Sequence, residues 1–302
     1  MMARHRQRSW SRRGCLTATM SATVMGLAAA ACSRTQSKKT PSERRIVTLG
    51  GTLTEIVFAL GLGESVVGVD TSSVYPLAAT ALAQVGYHRH VSAEGIISLG
   101  PTLVIHSDVA GPPSAFEQLS AAGIETLTIP EPKDLDGARA RIVALAKALG
   151  RGPQATPILQ RFDAEIAAAR RLSASTKHRP RVLFLYARGA DTLLVSGHTT
   201  AADLMVREAG GQNCITAFEG FRPLSAESVI AAAPEVIVVP ERSLESIGGL
   251  EGLRDQPGLN ETPAARSGRL VALDDLALLG LGPRTGQALN QLTRALHPEL
   301  DA

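Results

Sequence analysis

Aromatic side chains are scarce here: one tryptophan, three tyrosines and six phenylalanines in 302 residues, so any local concentration of rings is informative. Cysteine is equally sparse, at Cys15, Cys32 and Cys214. Only Cys214 follows Cys32, so no intrachain disulfide is available to the body of the chain unless Cys32 is left free, and Cys214 reads as a small buried side chain. The sequence contains no G-x-x-x-x-G-K-[ST], H-E-x-x-H, G-x-S-x-G or C-x-x-C. The usual signatures of nucleotide hydrolysis, zinc proteolysis, acyl transfer and dithiol redox chemistry are therefore missing. "GLGPRTG" (Gly280 to Gly286) has the look of a dinucleotide loop, but it lacks a third glycine at the right spacing and sits at the end of the chain.

An excess of one sign of charge is also absent. The formal net charge of +3 is owed to residues 1–31, which carry Arg4, Arg6, Arg8, Arg12 and Arg13 and no acid. Without them, 26 basic side chains face 28 acidic ones, a net charge of −2 that gives nucleic acid no purchase. The weakly apolar run Leu16 to Ala31 is too short for a confident membrane span. A charged stretch followed by a short apolar one reads as an export signal over residues 1–31. "SRRGCLT" resembles the twin-arginine export pattern, with Cys15 where an aromatic or aliphatic residue is usual. "LAAAAC" resembles a lipoprotein cleavage box ending at Cys32, with Ala29 where Leu or Val is usual. Cys32 is thus a lipidation candidate that would tether the chain by acyl tails; plain cleavage near the alanine run is the alternative.

Residues 32–43, rich in Ser, Lys and Thr, read as a flexible tether. The body then opens with a strand, "RIVTL" (Arg45 to Leu49), and Gly50-Gly51. Thr52 and Glu55 have the spacing of a capping box, in which each side chain satisfies a free amide at a helix start. A helix through "TEIVFAL" stops at Gly61-Leu62-Gly63, and "SVVGV" returns as a strand, completing a β-α-β unit. "TLVIHS" and "IETLTIP" add strands preceded by helical segments, which makes residues 44–150 an N-terminal α/β lobe with a mostly parallel sheet.

From Leu135 the pattern is helical, broken at Gly150-Arg151-Gly152-Pro153. The second piece, within residues 151–177, puts Ile158, Leu159, Phe162 and Ile166 on one stripe and spans ~33 Å at 1.5 Å per residue. "RVLFLY" (Arg181 to Tyr186) begins a C-terminal α/β lobe, residues 178–302. The expected fold is therefore α/β, two sandwich lobes joined by one long rigid helix. An internal match supports it: "SAEGIISLGPTLVI" from Ser92 and "SAESVIAAAPEVIV" from Ser225 align without a gap at an offset of 133 residues, and three residues earlier Arg89 pairs with Arg222. An exported two-lobed chain with no catalytic constellation points to a binding protein with its ligand in the cleft between lobes.

"RIVTLGGTLTEIVFALG", "VGYHRHVSAEGI", "HTTAADLMVREAGGQN", "FEGFRPLSAESV" and "LLGLGPRTGQAL" resemble the substrate-binding proteins of bacterial heme ABC importers, and the resemblance runs through nearly all of residues 44–298. It implies a periplasmic carrier, a monomer, that hands heme to an inner-membrane permease without catalysis. It further implies that Gly86-Tyr87-His88-Arg89 supplies an axial tyrosinate from Tyr87 to ferric heme. Phenolate is a hard donor suited to ferric iron, and Arg89 would favour its charged form if the segment is extended.

A second ligand from the other lobe occurs in some relatives, and Tyr186 and His198 are its candidates here. Phe218 and Phe221 suit stacking on a porphyrin. Arg222 suits a propionate, or else a structural salt bridge. His88 and His90 depart from the pattern and read as exposed rim residues; His106, ending a strand, faces the expected cleft or serves the core. Glu94 and Glu227, paired by the repeat, are candidates for docking onto permease arginines, or simply for stabilising helix starts. Rival readings are a ferric-siderophore or cobalamin carrier on the same fold, or a zinc or manganese carrier using His88, His90 and another histidine. An exported enzyme lacks a nucleophile-base pairing to support it.

Overall fold

The computed structural model describes residues 44–187 and 193–300; the export signal, the tether and Cys32 lie outside the described residues. Ile46-Val47-Thr48-Leu49 is buried at all four positions and forms β1 (Ile46–Leu49), the central strand of the first sheet. A strand covered on both faces has no polar side to show, hence the continuous run. Along the chain follow α1 (Gly51–Ala59), β2 (Val66–Val69), β3 (Ala83–Gln84), α2 (Ala93–Ser98), β4 (Leu103–Ser107), α3 (Pro113–Ala121), β5 (Glu125–Ile129) and α4 (Leu135–Leu149). The five strands pair in the order β3-β2-β1-β4-β5, every pair parallel. Gly150 ends α4 in the left-handed conformation, φ 69°, which a glycine adopts without a Cβ penalty.

The linking helix is α5 (Gly152–Ser175), with a proline in its first turn where a missing N–H costs nothing. The second sheet draws on β6 (Arg181–Ala187), β7 (Leu193–Ser196), α6 (Ala201–Glu208), β8 (Gln212–Asn213), β9 (Phe221–Pro223), α7 (Ala226–Ala232) and β10 (Val236–Pro240). It is completed by α8 (Glu241–Ser246), α9 (Gly249–Arg254), α10 (Pro263–Ser267), β11 (Leu270–Leu273), α11 (Asp275–Leu279) and α12 (Thr285–Leu296). Its order is β11-β10-β6-β7-β9, with β8 beside the start of β6; β7 runs antiparallel to β6 and β9. Both sheets belong to one compact unit.

The internal match is structural as well. Ser92 and Ser225 cap α2 and α7 through their side chains, accepting from Gly95 N and Ser228 N. β4 and β10 then begin at Leu103 and Val236, each a fully buried five-residue strand.

The capping box at Thr52 and Glu55 does not form. The free amides at the start of α1 go instead to the turn after β2, Gly50 N donating to Asp70 Oδ1 and Gly51 N to Ser72 Oγ, while the Thr52 and Glu55 side chains are claimed across the lobe junction. Thr52 Oγ1 donates to Gly280 O at 3.0 Å, and Glu55 accepts from Arg284 Nε and Nη2, both at 3.2 Å. Arg284 also reaches Asp274 at 3.0 Å and lies 3.7 Å over the Tyr75 ring. Alongside, the buried Arg141 of α4 donates to the carbonyls of Gly280 and Leu281 and to Glu131. Leu281 holds its carbonyl there at a positive φ of 49°, a conformation costing roughly 1–2 kcal/mol for a residue with a side chain. α12 lies on α5 so closely that a Cβ on Gly286 would come within 2.5 Å of Glu165 Cβ. "GLGPRTG" is therefore the strap that joins the two lobes.

Arg284→Met should destabilise the protein by about 3–5 kcal/mol, since it strands the Glu55 carboxylate in a buried site. Adding Glu55→Met should recover most of that loss. Urea unfolding of the single and double variants tests this; a double variant no better than Arg284→Met would contradict it.

Candidate ligand-binding cleft

A parallel sheet presents the carboxyl ends of all its strands at one edge, and ligands of open α/β folds sit outside that edge. The loops leaving the strands of the first sheet build one wall of a cleft of about 990 Å³: Gly50 to Leu53 after β1, Thr71, Ser72 and Val74 after β2, Tyr87 to His90 after β3, Val109 after β4 and Glu131 after β5. The opposite wall is supplied by Tyr186 and Ala187 at the end of β6, Leu194, Phe221, Arg242, Ser243, Asp275, Leu276, Leu279 and Gly280.

Tyr87, Arg89 and Tyr186, proposed from sequence for one site, share this cleft. The Tyr87 segment is a turn rather than extended, closed by His90 N donating to Tyr87 O at 2.7 Å, with Gly86 at φ 91°. Thr71 N donates to Gly86 O and Gly111 N to His88 O, which pins the turn to its neighbours at both sides. Phe221 also lines the cleft, with its ring centroid 5.9 Å from that of Tyr186.

Phe218 and Arg222 are not among the lining residues. Phe221 and Arg222 lie on strand β9 rather than in a loop, so consecutive side chains leave opposite faces. Phe218 packs against the core of the second sheet, with the Arg222 guanidinium 4.7 Å over its ring. His198 is half-buried beside Glu219, 3.8 Å away, and is also outside the lining. His106 belongs to the core, not the cleft: buried, it stacks on Phe116 with centroids 4.0 Å apart and bonds Ser107 O and Thr128. Its pKa is lowered by that burial.

His88 is not an exposed rim residue. Its Nδ1 is 2.9 Å from Oδ2 of Asp70, a carboxylate with no exposed side-chain surface. Asp70 also accepts from Gly50 N and from the hydroxyls of Ser72 and Ser73. Burial raises the Asp70 pKa, but the hydrogen bonds from His88, Ser72, Ser73 and Gly50 outweigh it and hold the carboxyl below its usual range. His90 is exposed at the cleft. Among the described residues, no group of three or more His, Cys, Asp or Glu is placed to hold a metal ion. Glu94 and Glu227 are both exposed, in the first turns of α2 and α7. Cys214 is only half-buried by exposure, yet burial of its thiol pushes the pKa up to about 12, so it is not a reactive thiolate.

Sequence reasoning missed Asp70, Arg141, Arg242 and Asp275. Asp70 had a signal, since "VGVDTSS" puts an aspartate and hydroxyl residues where a strand ends in a turn. Arg242 and Asp275 had none: each follows a different strand, and only the sheet brings them together. Asp275 accepts from the Arg242 backbone N–H at 3.2 Å, while its other oxygen is buried without a partner among the described residues.

Two α/β lobes joined by one helix, with a ligand-sized cleft at the strand ends, define a two-lobed solute-binding protein. The periplasmic binding protein family matches residues 46–277, and the chain belongs to that family. It is similar to the periplasmic heme-binding protein RhuT from Roseiflexus sp. RS-1, solved in apo form: 49% identical, covering 84% of this chain and 98% of that one, TM-score 0.81. It is also similar to the periplasmic heme-binding protein BhuT, solved in complex with two hemes: 42% identical, covering 84% and 99%, TM-score 0.78. A vitamin B12-binding protein of Yersinia pestis is 29% identical over 196 residues, 65% of this chain and 69% of that one. Among the described residues, no helix is long and apolar enough to cross a membrane.

Burial pushes the Asp275 pKa from 3.8 up to about 6, with Asp274 and Glu241 adding to the rise against Arg242. The folded chain therefore binds more protons here than the unfolded one between those values, so this contribution to stability falls as pH rises through the window. Asp275→Asn keeps an acceptor for Arg242 N and does not titrate. Relative to the wild type, the variant should gain in Tm from about pH 4 to about pH 7. A Tm difference independent of pH would contradict the burial argument.

Proposed function

We propose that the chain is an extracytoplasmic carrier that captures heme in the interlobe cleft and delivers it to an ABC permease, acting by binding and not by catalysis. The observation that carries this reading is Tyr87, held by a pinned turn in the cleft wall, in a protein with three tyrosines. A phenolate at that place is a hard anionic donor for ferric iron. Arg89, two residues on, lines the same wall. Phe221 and Tyr186 offer ring faces for a porphyrin from the opposite wall. A cleft of about 990 Å³ lies at the upper end of the roughly 300–1,000 Å³ usual for ligand sites, ample for a large flat molecule. The names of RhuT and BhuT point to the same ligand.

A second reading, a cobalamin carrier, draws on the vitamin B12-binding relative. It gives Tyr87 no role, so the two readings separate at one residue. Wild-type protein should take up hemin with a Soret band and a phenolate-to-iron charge-transfer feature. Tyr87→Ala should abolish or greatly weaken that uptake; wild-type affinity and spectrum in the variant would reject Tyr87 as ligand.

Delivery requires a docking face. Glu94 and Glu227 hold equivalent positions at the exposed starts of α2 and α7, where a permease of approximate two-fold symmetry could meet each with arginines. The carrier acts as a monomer in this scheme, and a lipid on Cys32 would keep it beside its permease. Exposed ion pairs are worth only ~0.2–1 kcal/mol each, so charge reversal, which adds repulsion, is a stronger probe than deletion. Glu94→Arg with Glu227→Arg should leave hemin affinity in solution unchanged and stop stimulation of ATP hydrolysis by the permease in vesicles. Undiminished stimulation would leave the two glutamates as helix-start residues.

A further inference from the structure

Asp70 and His88 form a pair that Tyr87 as sole ligand does not use. Asp70 stands just past the end of β2, wholly buried, and receives hydrogen bonds from Gly50, Ser72 and Ser73 that leave it no freedom to turn. Its Oδ2 faces Nδ1 of His88 at 2.9 Å, so in the neutral ring Nδ1 carries the proton and Nε2 carries the lone pair. Among the described residues nothing hydrogen-bonds Nε2. The His88 side chain is 14% exposed and lines the cleft, with its ring centroid 4.3 Å from that of Tyr87. A carboxylate on one nitrogen fixes the tautomer of an imidazole and strengthens the other nitrogen as a metal donor. The cleft wall thus offers a phenol oxygen and an imidazole nitrogen side by side.

We propose that His88 is a second iron donor of this cleft, which holds ferrous heme while Tyr87 holds ferric heme. The proposal rests on the heme reading above and adds the ligand for the other oxidation state. Phenolate suits the harder ferric ion, whereas imidazole serves ferrous heme well. One electron from an external low-potential one-electron donor reduces Fe(III) to Fe(II). The iron-oxygen bond to Tyr87 breaks, the phenolate takes a proton from solvent, and the Nε2 lone pair of His88 forms the new iron-nitrogen bond. Because both donors stand on one wall, the exchange moves the heme sideways along it without a change of lobe.

The test uses the full carrier loaded with one equivalent of ferric hemin, then reduced anaerobically with dithionite and read by resonance Raman spectroscopy. The wild type should show an Fe(II)–imidazole stretching band. Loaded with ferric hemin and then reduced, His88→Ala should lose that band, while His90→Ala should keep it. His88→Gln, whose amide can still donate to Asp70, carries the same expectation should the alanine variant not fold. Absence of the band in the wild type, its survival without His88, or its loss in His90→Ala would each overturn the proposal with the heme reading intact. Failure of the wild type to take up ferric hemin would overturn both.

Discussion

The bond between Glu55 and Arg284 decides what kind of cleft this protein has. It joins the first helix of one lobe to the last strap of the other, and the buried Arg141 reinforces it by gathering the carbonyls of Gly280 and Leu281. A buried ion pair adds little net stability over a well-packed apolar pair, but losing one partner is costly. What the pair supplies is therefore registry: it sets the edge of one sheet opposite the edge of the other. Leu281 bears a left-handed backbone to complete the arrangement, a strain that persists only where the surroundings over-determine it.

With the lobes so placed, the rest of the site follows from parallel strands. Each strand of the first sheet delivers its loop to the same edge, so residues from 50 to 131 in the sequence become one wall. The scarce aromatic rings then divide between tasks. Tyr87, Tyr186 and Phe221 line the cleft, Phe184 and Phe162 fill the core, and Tyr75 carries the guanidinium of Arg284. The polar side chains divide similarly: Asp70 orders the turns around Tyr87 from below, whereas Arg89, His90 and Arg242 stay exposed at the opening.

The architecture was legible because it rests on local signals. Continuous apolar runs marked β1, β4 and β10; the glycines around residue 150 marked the break before α5; the Ser92 and Ser225 segments marked two equivalent helix starts. The place of Tyr87 in the cleft wall was legible through its motif. What could not be read were the places where local signals lost to distant partners. Thr52 and Glu55 have the spacing of a capping box, yet partners more than two hundred residues away claim both. Phe218 and Arg222 are near Phe221 in sequence, but strand alternation and a ring-guanidinium contact turn them elsewhere. His88 looked like a solvated neighbour of Tyr87 because the buried carboxylate that holds it comes from another strand end. Arg242 and Asp275 meet only through the order of β10 and β11 in the sheet.

The central claim is that the cleft holds heme by its iron, through Tyr87. A crystal structure of the protein with hemin tests it most directly, since it reads the iron ligand and the heme position together. The account predicts ferric heme between the lobes, its iron bonded to Tyr87 Oη and its porphyrin against Phe221 or Tyr186. Heme bound outside the cleft, or in it with no bond from Tyr87 to iron, would contradict the account.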